Sequence, residues 1–199
     1  MPLLDPDIAF VLLAAGRSER FGGDKLVVHF KGKPLWRWAV DAAEEAGFCN
    51  RYVVIGSHSS VKAPFGWSEV VNCDAERGMG TSIAAGVSAA QHHKRLVIGL
   101  ADMPMMSAAH LRRIASCGGT KFTRYDDDRS GCPAGFGRET FGRLLSLRDD
   151  RGARALALPT ITIIEPTEPG ILFDIDTPRD MSGGSIAMSQ NVLPNGHRR

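Results

Sequence analysis

The sequence has little of what marks several large protein classes. Its 199 residues include four cysteines, no two within three positions of each other, so it has no CxxC motif and no disulfide framework. The longest apolar run near the N-terminus, residues 8–15, is too short to cross a bilayer. Asp5 and Asp7 precede it, where a signal peptide would carry basic residues. The sequence therefore predicts a cytoplasmic protein with reduced thiols.

Neither sign of charge dominates, because 24 Lys and Arg residues accompany 22 Asp and Glu residues. A net charge of +2 provides no strong field for nucleic acid or for a membrane surface, so neither is expected as a partner. The length and the 43% hydrophobic content fit one globular domain. We predict a single domain over residues 1–181. Residues 182–199 are rich in Ser, Gly, Asn and basic residues without a sustained period, and they are predicted to form a flexible tail.

Short apolar runs alternate with segments of helical period, which predicts an α/β fold with a mostly parallel sheet flanked by helices. Thr81 or Ser82 is expected to cap one helix and Ser107 another, and residues 153–158 are predicted to form a short helical segment. His92 and His93 follow each other at a helix end and are expected to point to different sides. The predicted strands cover residues 8–13, 52–55, 70–73, 96–100, 121–125, 134–136, 161–164 and 171–173.

Residues 13–25, LAAGRSERFGGDK, follow the first predicted strand and combine small residues with cations. The small residues 14–16 let the backbone approach a ligand closely, and successive N–H groups in such a loop can surround an anion. Arg17, Arg20 and Lys25 would add positive charge around the same anion. In an open α/β sheet this loop lies at the edge where ligands bind. The segment therefore predicts a phosphate-binding loop.

Two common nucleotide-binding signatures are missing from this chain. No GxxxxGK[ST] sequence is present, so the loop is not a Walker A motif. Gly78 and Gly80 begin like a dinucleotide fingerprint, but Ile83 stands where its third glycine belongs.

Asp102 is a candidate metal ligand. It lies just beyond the predicted strand 96–100, where a carboxylate could bind Mg²⁺ together with ligand phosphates.

Four segments in this order resemble the molybdenum-cofactor nucleotidyltransferases, the MobA-like NTP-transferase family. They are LAAGRSERFGGDK at 13–25, GMGTSIAAGV at 78–87, ADMP at 101–104 and DIDTPRD at 174–180. The resemblance implies a three-layer, Rossmann-like fold of the nucleotide-diphospho-sugar-transferase type. LAAG is similar to the cytidylyl branch of the family, whereas the guanylyl branch reads LAGG. DDRGAR at 149–154 resembles the GDxGAR of that branch, with Asp149 in place of glycine.

The resemblance implies transfer of CMP from CTP to the phosphate of molybdopterin, with Mg²⁺ as cofactor and release of pyrophosphate. It implies a catalytic role for Lys25, Arg17 and Asp102, and metal binding by Asp102 and Asp176. It places Pro133, Arg154 and Asp174 on the acceptor side. The residues expected to bind the nucleotide are Leu13, Ala14, Ala15, Gly16, Arg17, Lys25, Gly78, Gly80 and Ser82. Gly78 and Gly80 are expected to permit close approach of a flat ring.

Several alternatives to this function remain open at the level of sequence. A related enzyme could use GTP or transfer a nucleotidyl group to another phosphorylated acceptor, such as a sugar phosphate. A noncatalytic carrier could deliver the molybdenum cofactor to the apoenzyme of a molybdenum hydroxylase. The same apoenzyme is a candidate partner if the protein is a nucleotidyltransferase. An oxidoreductase is a third alternative, although it has no complete dinucleotide fingerprint in its favour.

Overall fold

A computed structural model describes residues 2–116, 118–125, 129–166, 168 and 170–183. Most of the predicted tail, residues 184–199, and the acidic run 126–128 lie outside the described residues. The strands are β1 (Ile8–Ala14), β2 (His29–Phe30), β3 (Lys33–Pro34), β4 (Asn50–Gly56), β5 (Ser68–Asn72), β6 (Arg95–Leu100), β7 (Thr120–Arg124), β8 (Ser130–Gly137) and β9 (Ile161–Ile164). The helices are α1 (Leu35–Glu45), α2 (Met79–Ala90), α3 (Ala108–Ala115), α4 (Phe141–Leu145) and α5 (Asp180–Gly183).

Seven strands form one sheet in the order β5-β4-β1-β6-β8-β7-β9, and β2 pairs with β3 in a small separate hairpin. All neighbours in the large sheet are parallel except those of β8, which runs antiparallel to both β6 and β7. Every residue of β1 is buried, because the helices cover both faces of the sheet. The predicted three-layer, mostly parallel α/β fold is confirmed.

The two sides of β1 pack into two separate apolar clusters. Phe10 and Leu12 belong to the cluster that also contains the buried residues of α1 and α3. Val11 belongs to the cluster that contains Ile83 of α2 and the buried side chains of α4. This alternation along β1 fixes which face each helix covers. Within the described part of the chain, no helix is long and apolar enough to span a membrane.

The structure corrects several predicted element boundaries. Helix α2 begins at Met79, so Thr81 and Ser82 lie inside its first turns and do not cap it. Residues 171–173 form a turn instead of a strand, in which the Phe173 N–H donates to the Gly170 carbonyl. The predicted helical segment 153–158 shortens to a 3₁₀ turn at Ala153–Ala155. The predicted cap Ser107 is confirmed, because its hydroxyl accepts from the His110 N–H at 3.2 Å.

Candidate active site

The loop after β1 and the end of β6 meet because these two strands are parallel neighbours. Leu13 pairs with Leu100, and the Ala101 N–H donates to the Leu13 carbonyl at 3.1 Å. Asp102 follows directly and therefore stands beside the small-residue loop 14–16. The parallel register brings together two segments that lie about ninety residues apart in the sequence.

Lys25 is a buried cation beside the end of β6. Its side-chain nitrogen lies 2.9 Å from Asp102 Oδ2 and 3.0 Å from Asp176 Oδ1, while only 7% of the residue is exposed. Burial alone would lower the pKa of Lys25, but the charges and hydrogen bonds of the two carboxylates outweigh burial and raise it. The lysine is therefore held as an ammonium between two carboxylates. We call these three residues the Lys25 cluster.

Asp176 reaches the cluster from a tight turn near the C-terminal end of the described chain. The Ile175 N–H donates to the Asp102 carbonyl at 3.1 Å, which ties this turn to the end of β6. One oxygen of Asp180 accepts hydrogen bonds from the backbone N–H groups of Asp176 and Thr177 at 3.0 and 2.7 Å. The Thr177 contacts and the Asp176 N–H lower the pKa of the Asp180 carboxyl. Asp180 thus organises the turn, a role that the motif alone did not reveal.

The Lys25 cluster suits a divalent cation that is completed by ligand oxygens. The second oxygen of Asp102, Oδ1, is buried and has no hydrogen-bond partner within the described part of the chain, although a buried carboxylate oxygen ordinarily has one. Among the described residues, no three His, Cys, Asp or Glu side chains gather as a complete metal site. Mg²⁺ commonly takes one or two protein carboxylates together with phosphates and water. Asp102 and Asp176 fit that donor set.

A cleft of about 590 Å³ opens over the Lys25 cluster. Arg17 borders it and pairs with Glu19 at 3.2 Å, while exposed Arg20 lies 3.3 Å from Asp176 Oδ2. A second cavity of about 470 Å³ shares the loop 14–18 with the cleft. Eleven residues singled out in the sequence line the cleft: Leu13, Ala14, Ala15, Gly16, Arg17, Arg20, Lys25, Gly78, Ser82, Asp102 and Asp176.

The start of α2 is covered by another part of the protein. A Cβ on Gly78 would lie 2.6 Å from main-chain atoms of Asp149 and Asp150, and one on Gly80 would lie 2.9 Å from three carbonyl oxygens of residues 148–151. The Gly80 N–H donates to the Asp149 carbonyl at 2.9 Å. For Gly80, this packing replaces the expected close approach of a flat ring. For Gly78, which also lines the cleft, that approach stays a prediction. Both are needed because the segment 148–151 packs against the helix end.

Ser82 is positioned by a buried hydrogen-bond network rather than by a helix cap. The side-chain amide of Asn72, at the end of β5, donates to Thr81 Oγ1 at 2.9 Å and to Ser82 Oγ at 3.0 Å. The Thr81 hydroxyl in turn donates toward the loop that precedes α2, where the Gly78 carbonyl oxygen lies 2.8 Å from Thr81 Oγ1. Ser82 therefore borders the cleft in a defined orientation. Sequence analysis did not identify Asn72.

The residues expected on the acceptor side surround Tyr125, just beyond β7. The Tyr125 hydroxyl donates to the Cys132 carbonyl at 2.7 Å, next to Pro133 on β8. Burial raises the pKa of Tyr125, as do nearby Cys132, Asp174 and Asp102, whereas Arg154 opposes the shift. Burial, then the charges of Asp176 and Asp102, raise the pKa of Asp174. Pro133, Arg154, Asp174 and Gly80 do not line the cleft itself.

His92 and His93 converge instead of diverging, so that prediction is wrong. Helix α2 ends at Ala90, and the two residues lie in the turn beyond it. Their Nε2 atoms lie 3.4 and 3.1 Å from the hydroxyl oxygen of Tyr52, and their ring centroids are 4.0 Å apart. The expectation assumed that the helix continued through both residues.

Comparison with known proteins gives one family. The model of the MobA-like NTP transferase domain matches residues 10–160. The chain is 31% identical to the purine catabolism protein PucB of Bacillus subtilis, across 92% of this chain and 98% of PucB. It is 35% identical to a probable molybdenum cofactor guanylyltransferase of Pyrococcus horikoshii, across 48% of each. The crystal structure of Rv0371c from Mycobacterium tuberculosis in complex with manganese superimposes with a TM-score of 0.71 at 27% identity, across 92% of this chain and 98% of that one.

Proposed function

Because the chain belongs to the MobA-like NTP transferase family, we propose that it transfers CMP from CTP to the phosphate of molybdopterin and releases pyrophosphate. The observation that carries the proposal is the Lys25 cluster. A buried ammonium is held between two carboxylates at the edge of a small-residue loop and a cleft. This arrangement supports binding of a triphosphate together with a divalent cation.

The proposed reaction needs positioning and charge neutralisation rather than a general base. An acceptor phosphate is already ionised at neutral pH, and one of its oxygens attacks the α-phosphorus of CTP. The bond from that phosphorus to the bridging oxygen breaks, and the electron pair leaves with pyrophosphate. Lys25 and Arg17 would stabilise the charge that develops on the phosphates, and backbone N–H groups of residues 14–17 would hold the triphosphate.

Asp102 and Asp176 are the residues that would hold the cation, with Asp174 as a second choice for Asp176. Bound there, Mg²⁺ or Mn²⁺ would neutralise negative charge on the triphosphate oxygens. The manganese complex of Rv0371c supports a divalent cation in a relative of this fold. Asp102 has the stronger claim, because its buried Oδ1 has no hydrogen-bond partner among the residues that the structure describes.

The nucleobase is proposed to extend toward the second cavity. Residues 148–151 fill the space above Gly80, which leaves no room for a ring at that point. The second cavity shares the loop 14–18 with the cleft and is bordered by Ser57, Ser59 and Asn72, whose uncharged polar groups can hydrogen-bond a base. Ala15 borders both cavities. Its methyl group would restrict the size of the base, so Ala15→Gly should shift the preference from CTP toward GTP by about tenfold.

The identity of the acceptor rests on the ADMP and DIDTPRD segments and on the family. A probable molybdenum cofactor guanylyltransferase among the relatives supports a molybdenum-cofactor substrate. A molybdenum hydroxylase apoenzyme is proposed as the recipient of the product. A sugar phosphate as acceptor, and a noncatalytic carrier, are the competing functions.

The test is pyrophosphate release from CTP and from GTP with Mg²⁺, each with and without molybdopterin. CTP-selective release that requires molybdopterin is the expected result. Release from GTP alone would keep the nucleotidyl transfer and overturn the role given to Ala15. No release from folded protein with active acceptor would contradict the proposed reaction, and tight molybdopterin binding in that case would favour the carrier.

A further inference from the structure

The antiparallel part of the sheet contains a bulge beside the Lys25 cluster. Phe122 of β7 pairs with Ala134 of β8, but the next residue, Thr123, pairs with Gly131. Cys132 and Pro133 are therefore left out of the ladder, and we call these two residues the β8 bulge. Such a bulge needs other partners for its main-chain groups, because the regular pairing with β7 is lost there.

Two side-chain hydroxyls of the β7 segment supply these partners. Tyr125 donates to the Cys132 carbonyl at 2.7 Å, and Thr123 donates to the Pro133 carbonyl at 2.7 Å. Thr123 is completely buried, so its hydrogen bonds are shielded from water. Both carbonyls of the β8 bulge are thus oriented by neighbouring side chains.

His110 of α3 stands behind this arrangement. Its Nε2 lies 2.8 Å from Thr123 Oγ1, and the whole residue is buried. Because a threonine hydroxyl has one proton and Thr123 gives it to a carbonyl, His110 must donate through Nε2–H. Nδ1 then carries the lone pair, and it is buried without a hydrogen-bond partner among the described residues. The histidine is therefore neutral, with one defined tautomer, and forms a relay from α3 through Thr123 to Pro133.

The β8 bulge lies next to the groups assigned to the metal and the acceptor. Burial raises the pKa of the Cys132 thiol to about 12, and the charge of Asp102 contributes to that shift. The carboxylates of Asp174 and Asp102 also contribute to the raised pKa of Tyr125, after burial and Cys132. The pairing of β6 with β8 places the bulge close to Asp102, because Ala134, directly after the bulge, pairs with Ile98 near the end of β6. Because Pro133 is one of the residues assigned to the acceptor side, a rotation of the bulge would move a proposed acceptor contact.

We propose that His110 is a positioning residue for the phosphorylated acceptor, because it fixes the β8 bulge beside Asp102 through Thr123. The proposal rests on the proposed function for its effect on the acceptor, whereas the pinning of the bulge can be measured without it. His110 does not line the cleft, so its effect on the reaction is indirect. The nucleotide side of the site should be unaffected, since it is built on β1, α2 and the loop 14–18.

Two matched pairs of variants test the relay. Thr123→Val keeps the shape of the side chain but removes the hydroxyl, whereas Thr123→Ser keeps the hydroxyl. His110→Leu removes the donor, whereas His110→Gln places an amide nitrogen at about the position of Nε2. Thr123→Val and His110→Leu should raise the KM for molybdopterin by about tenfold, while the KM for CTP changes by less than about threefold. Thr123→Ser and His110→Gln should stay close to the wild type in both constants.

Alkylation of Cys132 gives a readout that does not depend on activity. The rate, followed by mass spectrometry, should rise about tenfold in Thr123→Val, while the exposed Cys49 and Cys73 react at unchanged rates. If Thr123→Val does not fold, His110→Asn replaces it, because its shorter amide cannot reach Thr123.

Each outcome decides a separate point. An unchanged Cys132 rate in the folded variant overturns the pinned bulge. A faster Cys132 reaction with an unchanged KM for molybdopterin, or an equal rise in the KM for CTP, overturns the role in acceptor positioning. If the wild type does not turn over CTP and molybdopterin, the proposed function and the acceptor role both fail, and the labelling rate alone decides whether the relay pins the bulge.

Discussion

The two halves of the central sheet present the candidate site in different ways. In the parallel half, β5-β4-β1-β6, the strands end in loops that carry charged or small residues into the cleft. The other half, β8-β7-β9, is called the antiparallel half because β8 runs against both of its neighbours. There the segment assigned to the acceptor is held by uncharged hydrogen bonds from His110, Thr123 and Tyr125. Substitutions in the first half should therefore change the chemistry more than the stability. Substitutions in the second half should change stability and acceptor binding.

The largest effect is expected from Asp102 in the parallel half. Asp102→Ala removes the carboxylate assigned to the metal while Lys25 keeps Asp176 as its partner, so the protein should fold. Turnover should fall by at least about 10³-fold, because several kcal/mol of transition-state stabilisation is lost. Pyrophosphate release and circular dichroism measure activity and folding in the same preparation.

The control for this substitution is Asp41→Asn. Asp41 is a carboxylate of α1 that pairs with Lys33 and Arg37 away from the cleft. Its loss should leave turnover within about twofold, because this partly exposed ion pair lies away from the cleft. Near-normal turnover in folded Asp102→Ala would contradict the assignment and would remove the contrast between the two halves.

The next effect is a pH dependence of stability that belongs to the antiparallel half. Burial, followed by the charge of Arg113, lowers the pKa of His110 to about 4, whereas Glu168 opposes this shift. Because the folded pKa lies below the unfolded value near 6.5, the unfolded chain takes up this proton first as the pH falls. Stability should therefore decrease from about pH 6.5 down to about pH 4, by roughly 3 kcal/mol for this residue.

Urea unfolding of the wild type and of His110→Gln at pH 7 and pH 4.5 isolates this contribution. Other groups titrate equally in both proteins, so the difference between them belongs to His110. The wild type should lose more stability than the variant by most of that amount. An identical loss in both proteins would show that His110 is not held neutral by the fold.

A smaller effect is expected where the two halves touch, at the start of α2. Gly80→Ala would place a methyl group 2.9 Å from three carbonyl oxygens, which are main-chain atoms and cannot turn away. The free energy of unfolding should fall by about 2 kcal/mol. Gly142 in α4 is the matched control, because a Cβ there meets no atom of the described residues within 4 Å. Gly142→Ala should raise stability by up to about 1 kcal/mol, and a loss at both positions would contradict the packing described here.

The smallest effect concerns Asp149, which stands at the glycine position of the GDxGAR motif that residues 149–154 resemble. Its φ of 60° lies in the left-handed region, which glycine adopts more easily than aspartate. Asp149→Gly should therefore raise the free energy of unfolding by less than about 1 kcal/mol, and Asp149→Ala should lower it by about 1 kcal/mol. Thermal unfolding distinguishes the two variants, and a reversed order would show that the side chain itself stabilises the turn.

The parallel half could be predicted from sequence because its signals are local. The apolar run of β1, the small residues after it and the acidic residue after β6 each follow from a short pattern, and Lys25, Asp102 and Asp176 do come together. Their direct pairing could not be predicted, since it depends on the Asp180-stabilised turn. The start of α2 was misplaced because its first N–H groups are satisfied from the distant segment 148–151, by the Asp149 carbonyl and the Asp150 side chain, rather than by a residue at the helix start.

The antiparallel half was less predictable because its partners are distant and uncharged. His110 and Thr123 are thirteen residues apart on different elements, and nothing in their local pattern indicates that they share a hydrogen bond. Residues 171–173 are apolar enough for a strand, yet they form a turn that buries Ile171 instead of joining β9. Side-chain hydrogen bonds between elements carry no periodic signal, so only the structure reveals them.

The most direct test of nucleotidyl transfer follows the position of a phosphorus label. The protein is incubated with Mg²⁺, molybdopterin and CTP labelled at either the α- or the γ-phosphate. The account predicts that the α-label appears in a molybdopterin–cytidine product and that the γ-label appears only in pyrophosphate. Transfer of the γ-label to molybdopterin, or retention of both labels in CTP with active acceptor and folded protein, would contradict it.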